Sequence, residues 1–307
     1  MKNQCYYPRQ AYTDGDCNKP VRVPCGRCIG CRLENARQWA IRCTHEAQMH
    51  KENSFITLTY NNDNLPSNGS VKKKEMQRFM KDLRKSISPK EVRFYGCGEY
   101  GDNLNRPHYH ILLFGHHFED QVLFEAGAKR WRKNKFSTAE LRDIYTSEEL
   151  GKLWKKGFHT IGEVTFESAG YVARYVMKKQ TSSNHSWYSQ WREEDHYKGR
   201  EPEFALMSRM PGLGKSWIKK YMTDVYPKGY FHINGKRVAT CRYYDSIFQR
   251  YCADNEEAHG MYEEYEKMKK QRKQHDKNES PQRLMDKAYH KKLITKPLIR
   301  SIEKCKK

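Results

Sequence analysis

The stretch at residues 106–114, RPHYHILLF, constrains the fold more than any other part of the chain. Its apolar run predicts a buried strand. Side chains of a strand point alternately to opposite faces, so His108 and His110 project together while Tyr109 points away. Two imidazoles on one face can bind a divalent cation, and the alternative is a hydrogen-bonded pair without a metal. We therefore expect a strand that carries a candidate metal site.

Strands and helices alternate from residue 54 onward. A polar loop at residues 98–103 separates two of the predicted strands and favours a hairpin. We expect an α+β fold, an antiparallel sheet with helices on one face. The periodicity of apolar residues predicts strands at 55–60, 92–96, 108–114 and 158–164, and helices at 73–86, 138–155 and 166–179.

Composition divides the chain into three parts. Residues 1–50 comprise a Cys-rich metal-binding segment and a following helix at 32–50. Residues 51–185 form the core, and residues 186–307 form an aromatic and basic extension. At its end the extension alternates acidic and basic groups, which predicts a solvated helix or a flexible arm with nonspecific contact to a nucleic-acid backbone.

Two tyrosines on the last predicted helix of the core are candidate nucleophiles. Tyr171 and Tyr175 are four residues apart, so both phenols lie on one face. A phenol attacks poorly while protonated, and Lys178, three residues after Tyr175, is placed to lower its pKa or to hold transition-state charge. The alternative is that both tyrosines belong to the core face of an amphipathic helix.

A carboxylate should complete the candidate metal site. The hard cations Mg²⁺ and Mn²⁺ prefer oxygen ligands, and Glu99 lies on the loop just before the histidine strand. A hairpin would let Glu99 reach His108 and His110, and Asp102 is the alternative. Two imidazoles and one carboxylate leave open positions for a phosphate oxygen, which the cation could polarise.

The cysteines predict a second, structural metal site. Cys25, Cys28 and Cys31 are separated by gaps of two residues, which let thiolates surround one ion. Tetrahedral Zn²⁺ needs a fourth ligand, and an iron-sulfur cluster is the alternative. The first candidate for that ligand is Cys5, followed by Cys17 and by Cys43 or His45.

The formal charge of +21 indicates a polyanionic partner. An excess of Lys and Arg favours nucleic acid through counterion release, and a noncatalytic ribosomal or histone-like binder is the bland alternative. The N-terminus has no apolar signal core, and no uncharged stretch reaches the ~20 residues of a membrane span. We expect no membrane association and an intracellular location.

One motif is a decoy for nucleotide binding. Residues 211–216, PGLGKS, end like a phosphate-binding loop, yet Arg209 stands where that motif needs its first glycine. We expect a structural turn here, with no nucleotide cofactor and no built-in helicase.

In order along the chain, four motifs resemble those of rolling-circle replication initiators, the HUH endonucleases. The chain is most similar to the initiators of microviruses, in particular the gokushovirus group. The motifs are PCGRCIGC at 24–31, FITLTY at 55–60, GEYG ahead of RPHYH at 98–110, and GYVARYV at 170–176.

The resemblance implies a function and its residues. His108, His110 and Glu99 would bind Mg²⁺ or Mn²⁺, and Tyr171 and Tyr175 would form 5′-phosphotyrosine links that leave a 3′-hydroxyl for a host polymerase. Arg174 occupies a position between the tyrosines and cannot deprotonate, so Lys178 or Lys179 would handle protons if either does. The basic residues expected to contact DNA are Arg106, Arg174 and Lys179.

These observations predict a site-specific nickase and ligase. Its partners would be single-stranded and replicative-form circular DNA at the origin, with host helicase and polymerase, in the cytoplasm of the bacterial host. The alternatives with the same chemistry are a plasmid initiator and a single-strand transposase. The alternative of another class is a noncatalytic zinc-bearing nucleic-acid binder.

Overall fold

The computed structural model of the chain describes residues 5–12, 20–101, 105–125, 143–178, 200–274 and 280–295. These residues form two compact units. One takes the described residues of Trp39–Gly214, and the other takes those of Met1–Gln38 and Lys215–Arg300. The limits differ from the three parts that composition suggested, because composition cannot show that segments near the two ends of the chain cluster together.

The secondary structure is numbered in chain order. The described strands are β1 (Arg9–Tyr12), β2 (Pro20–Val23), β3 (Asn53–Tyr60), β4 (Arg93–Tyr100), β5 (Pro107–Phe114), β6 (Val122–Glu125), β7 (Ile144–Thr146), β8 (Gly157–Gly162), β9 (Phe204–Met207), β10 (Tyr230–Ile233) and β11 (Lys236–Ala239). The described α-helices are α1 (Ile29–Ala47), α2 (Lys73–Ser86), α3 (Glu148–Leu153), α4 (Phe166–Lys178), α5 (Lys215–Lys220), α6 (Met222–Val225), α7 (Arg242–Asp254), α8 (His259–Gln274) and α9 (Pro281–Thr295).

A single antiparallel sheet organises the Trp39–Gly214 unit. Within the described residues its strand order is β6-β7-β8-β3-β5-β4-β9, and every pairing is antiparallel. The predicted hairpin is confirmed, since β4 and β5 pair along their whole length. The sheet also takes in β9, which lies beyond the 51–185 range that the sequence indicated for the core.

Both faces of this sheet are covered, so the expectation of helices on one face is wrong. On one face α2 buries Met76, Phe79, Met80 and Leu83 against Ile56, Leu58, Tyr109 and Ile111. On the other face Ala40 and Cys43 of α1 and Ala169 and Val172 of α4 pack against Tyr95, Leu112 and Phe114. The reason lies in β5, whose residues from 109 to 114 are all buried, so each face of the strand needs a cover.

Two local predictions need correction. Glu99 lies on β4 and not on a loop, since β4 runs to Tyr100. Gly98 there serves strand packing, because a Cβ at this position would lie 2.6 Å from the Phe204 ring. The helix expected at 138–155 is replaced, in its described part, by β7 and the short helix α3. The Ser147 hydroxyl begins that helix by accepting a hydrogen bond from the Leu150 amide.

The second unit carries two short hairpins, β1-β2 and β10-β11, and the helices after Lys215. Tyr226 stacks on Phe248 of α7 with ring centroids 4.0 Å apart, and Tyr265 of α8 meets both rings edge-on. Ala288 of α9 is buried against Tyr6, Cys28 and Ile29. The extension is therefore not an unpacked arm where it is described. No helix among the described residues is both long and apolar enough to cross a membrane.

Candidate metal and tyrosine site

The two histidines of β5 are held by two threonines of the neighbouring strand. Register pairs His108 with Thr59 and His110 with Thr57, so all four side chains share one face. The Thr59 hydroxyl oxygen lies 2.8 Å from Nδ1 of His108, and that of Thr57 lies 3.0 Å from Nδ1 of His110. With each Nδ1 occupied in this way, Nε2 is the nitrogen left for a metal.

A carboxylate meets one of these rings. Glu99 and His110 are almost fully buried, and Oε1 of Glu99 lies 3.0 Å from Nε2 of His110. Two ligand atoms that each lie ~2.1 Å from one ion at a right angle are ~3.0 Å apart. The separation between this oxygen and this nitrogen therefore fits neighbouring ligands of one cation.

The third prospective ligand is less closely gathered. His108 is opposite Glu99 in the register, and its ring lies 6.3 Å from the ring of His110 between centroids. Its Nε2 is directed toward Gly101, where a Cβ would lie only 2.5 Å away. Among the described residues, the groups of three or more His, Cys, Asp or Glu ligand atoms within 4.8 Å of one another do not include this trio. Asp102 lies outside the described residues.

Helix α4 brings one phenol to the histidine face. Its ends agree with prediction to within a residue. The ring of Tyr171 meets the ring of His110 edge-on at 5.5 Å between centroids, and Phe55 packs against both rings. Tyr171 remains 41% exposed, so this phenol is open to a large substrate. Val172, next to it, is buried in the core, so the apolar positions of this helix do not include Tyr171.

The remaining predicted residues are only partly described. Tyr175 and Lys178 lie in the last turns of α4, where the structure describes the helix but not these side chains, and Lys179 lies outside the described residues. Arg174 is half-buried on the same helix. The Arg106 guanidinium donates to the Tyr60 carbonyl at 2.9 Å and the Asn62 side-chain oxygen at 2.6 Å. That guanidinium therefore ties the start of β5 to the end of β3.

Four cysteines form a separate cluster in the other unit. The Sγ atoms of Cys5, Cys25, Cys28 and Cys31 all lie within 4.8 Å of one another. Two of the separations are 3.9 Å, between Cys25 and Cys31 and between Cys28 and Cys5. A tetrahedral ion with ~2.3 Å bonds to sulfur holds its ligands ~3.8 Å apart. The cluster fits a single ion such as Zn²⁺, and these separations are too short for thiolates spread around a multi-iron cluster.

Backbone amides prepare this cluster for anionic sulfur. The amides of Cys25, Cys28 and Cys31 donate to Sγ of Cys5, Cys25 and Cys28 at 3.2 to 3.4 Å. Partial burial raises the pKa of the Cys25 thiol, but hydrogen bonds from the amides of Cys28 and Arg27 outweigh it and lower the pKa to about 7. Burial raises the pKa of Cys5 and Cys31. A bound cation would supply the opposite charge that holds all four as thiolates.

The structure also decides between the candidates for the fourth sulfur. Cys5 joins the cluster, as first expected. Cys43 and His45 of α1 do not belong to it, and Cys43 is buried with Tyr95 in the core of the other unit. Burial lowers the pKa of His45 to about 3, so this imidazole is neutral at pH 7. Cys17 lies outside the described residues.

Thr57 and Thr59 are the site residues that sequence reasoning missed. The signal was present, because threonine alternates with apolar residues along residues 55–60 with the period of the histidine strand. Only the pairing of β3 with β5 shows that these hydroxyls reach the imidazoles.

The proposed decoy loop is occupied by the protein itself. The backbone amide of Gly214 donates to the buried carboxylate of Glu46 at 2.6 Å. The Glu46 carboxylate also accepts from Nε of Arg93 at 2.5 Å. In a phosphate-binding loop such an amide would face a nucleotide.

Known proteins similar to this chain have replication-associated names. Residues 53–180 match the family described as replication-associated protein ORF2. The chain is 34% identical over 235 residues to the replication-associated protein VP4 of Bdellovibrio phage phiMH2K, covering 74% of this chain and 67% of that protein. It is 30% identical over 245 residues to the replication-associated protein ORF2 of Spiroplasma virus 4, covering 74% and 68%.

A third relative is matched over a smaller share of its length. The chain is 29% identical over 238 residues to the replication-associated protein ORF4 of Chlamydia phage 1, covering 76% of this chain and 55% of that protein. No solved structure matches the chain.

The chain belongs to the family of phage replication-associated proteins. Within that family it is a microvirus-like replication initiator, and this prediction from the ordered motifs is confirmed.

Proposed function

We propose that this replication initiator is a divalent-metal-dependent nickase and strand transferase that opens and reseals phage DNA. The observation that carries the proposal is the contact of Tyr171 with His110, whose ring centroids are 5.5 Å apart, beside the buried Glu99 carboxylate. A nucleophile, imidazole nitrogens and a carboxylate thus share one face of the sheet. The role in replication implies DNA as the partner, and the charge of +21 suits it.

His108, His110 and Glu99 would hold Mg²⁺ or Mn²⁺. When bound, the cation supplies Lewis-acid polarisation of the scissile phosphate. The threonine hydroxyls keep each Nε2 directed toward β4, and the burial of Glu99 and His110 excludes water from the ligands. Arg106, Arg174 and Lys179 would contact the phosphates on either side.

The phenolic oxygen of Tyr171 attacks the phosphorus as the phenol loses its proton. The bond from phosphorus to the 3′ oxygen breaks, that oxygen takes up a proton, and the 5′ phosphate becomes esterified to the tyrosine. Tyr175, one helical turn later, would make the second cleavage before the first ester is resolved. Attack by a 3′-hydroxyl on the phosphotyrosine reverses the step, which reseals the strand and restores the phenol. Lys178 would hold or move the phenolic proton.

The four-cysteine cluster would bind Zn²⁺ in a structural role, because four protein ligands leave no open position. The protein would act on single-stranded and replicative-form circular DNA at the origin, inside the bacterial host. Host helicase would separate the strands, and host polymerase would extend the free 3′-hydroxyl.

The test is a covalent adduct. The full chain is incubated with circular single-stranded phage DNA and Mn²⁺ or Mg²⁺, and products are separated in denaturing detergent. We expect a protein–DNA adduct that disappears with a chelator and in the double variant Tyr171→Phe/Tyr175→Phe. The matched control is Tyr251→Phe, which changes a tyrosine of similar exposure, 43%, on α7 of the other unit.

An equal adduct yield in the double variant rejects these nucleophiles. Absence of any adduct from the wild-type chain, with DNA binding intact, favours the noncatalytic zinc-bearing binder. Glu99→Gln separates the metal from the nucleophile, because extra Mn²⁺ should recover part of the yield in that variant only.

A further inference from the structure

Phe158 of β8 lies in the same cross-strand row as the first histidine. Register pairs Glu99 with His108, His108 with Thr59, and Thr59 with Phe158 across β4, β5, β3 and β8. Directly opposed residues of antiparallel strands share a face, so the phenylalanine ring stands on the histidine face. Neighbouring strands are ~4.8 Å apart, which places Phe158 ~10 Å from His108 along the row.

The phenylalanine ring is open to a ligand. Helix α4 packs over β4 and β5, and Phe158 on β8 is 68% exposed. In the described part of this unit the strongly exposed aromatic side chains are Phe124, Phe158 and Tyr171, and the last two lie on the histidine face. A single exposed phenylalanine is ordinary on a protein surface. An exposed ring in the row of a candidate metal site is a more specific feature.

The backbone fixes the position of this ring. Gly157, just before it, has φ of +150°, and a Cβ there would lie 2.3 Å from the Asn61 amide nitrogen and 2.3 Å from the Thr59 carbonyl oxygen. These are backbone atoms that cannot move aside, so only glycine allows β8 to start so close to the end of β3. The close approach holds Phe158 opposite Thr59, and a ring already held in place loses little entropy when a flat ligand stacks on it.

We propose that Phe158 is a stacking platform for a nucleobase next to the scissile phosphate of single-stranded DNA. The choice of DNA rests on the proposed function. A neutral aromatic ring contributes by stacking on a base face, which all four bases offer, while positive side chains hold the backbone. The residue would position the strand beside the imidazoles and takes no part in bond making.

The experiment compares two labelled oligomers of equal length, oligothymidylate and the same chain with abasic sites, by fluorescence anisotropy with the full-length protein. The variants are Phe158→Ala and Phe158→Trp, and the matched control is Phe124→Ala, which removes a ring of similar exposure, 65%, from edge strand β6. We expect Phe158→Ala to weaken oligothymidylate binding by about 5- to 150-fold, the range for loss of one stacked base. Phe158→Trp and Phe124→Ala should bind as the wild type, and the abasic oligomer should not distinguish the variants.

Two results overturn the proposal. One is a loss in Phe158→Ala no greater than in Phe124→Ala, and the other is an equal loss on the abasic oligomer. The adduct assay reports separately on the proposed function. A wild-type chain that shows base-dependent binding through Phe158 but no adduct contradicts nicking and leaves the stacking platform in place.

Discussion

The threonines of β3 offer the sharpest test of the candidate metal site. Thr57→Val and Thr59→Val each remove one hydroxyl that lies 3.0 Å or 2.8 Å from Nδ1 of a histidine. Valine has nearly the shape of threonine, so the packing of the strand is kept. We expect each Nδ1 to donate its proton to the hydroxyl, which leaves Nε2 with the lone pair that a metal needs.

The expected loss can be estimated from the chemistry of such contacts. Removing a hydrogen-bond partner of a metal-binding histidine costs about 10- to 100-fold in metal affinity. That range corresponds to ~1.4 to 2.7 kcal/mol for each threonine. Because His110 also bonds Glu99, its ring keeps one partner in Thr57→Val, whereas the ring of His108 loses its threonine contact in Thr59→Val. We therefore expect the larger loss from Thr59→Val.

The assay is a titration of adduct formation with Mn²⁺, together with calorimetric titration of the metal. Half-saturating Mn²⁺ should rise in both variants, while the adduct yield at saturating Mn²⁺ should approach that of the wild type. The control is Thr160→Val, which changes the residue opposite Thr57 on β8 and on the same face. Mn²⁺ dependence equal in all four proteins would refute the role of the threonines and weaken the case for the histidines as ligands.

Two predictions concern stability. Cys28→Ser or a strong chelator should remove one bound Zn²⁺ per chain, measured by elemental analysis, and should loosen the segment around the cluster to proteolysis, whereas Cys252→Ser, also buried in that unit but outside the cluster, should keep the metal. Glu46→Gln should lower the free energy of unfolding by about 3 kcal/mol at pH 7, measured by urea titration, because Arg93 loses a buried partner. Burial raises the pKa of Glu46, but hydrogen bonds from His50, Gly214 and Arg93 outweigh it and hold the pKa below its ordinary value, so this contribution is present above about pH 4.3 and is lost as the pH falls through the lowered pKa. A difference between wild type and Glu46→Gln that stays constant down to pH 3 contradicts the ion pair as its source.

Local pattern predicted much of the fold because local pattern is what forms helices and strands. Helix α2 was predicted at its observed bounds, since its apolar residues recur at helical spacing and nothing else competes for them. Glu99 was misplaced on a loop because two glycines read as turn residues. In the structure the ring of Phe204 packs against one of these glycines, Gly98, and that contact comes from a strand more than a hundred residues away.

The cysteine cluster shows the same division. Spacing alone identified Cys25, Cys28 and Cys31, since gaps of two residues bring three sulfurs together within one loop and the start of a helix. The fourth sulfur lies twenty residues earlier, and several candidates satisfied the sequence equally well. The amide of Cys25 bonding to Sγ of Cys5 settles which one is near, and that contact exists only in the folded chain.

By itself the sequence determined which groups are present and which neighbours along one element share a face: His108 with His110, and the positions of Tyr171 and Tyr175 on one helix. Those relations follow from the fixed repeat of a strand or a helix. The tertiary structure alone decided that Thr57 and Thr59 hold the imidazoles, that Glu99 meets His110, and that Phe158 stands in their row. Each of these depends on which strands pair and in what register, and register is selected by the burial of whole faces, which no short stretch of sequence contains.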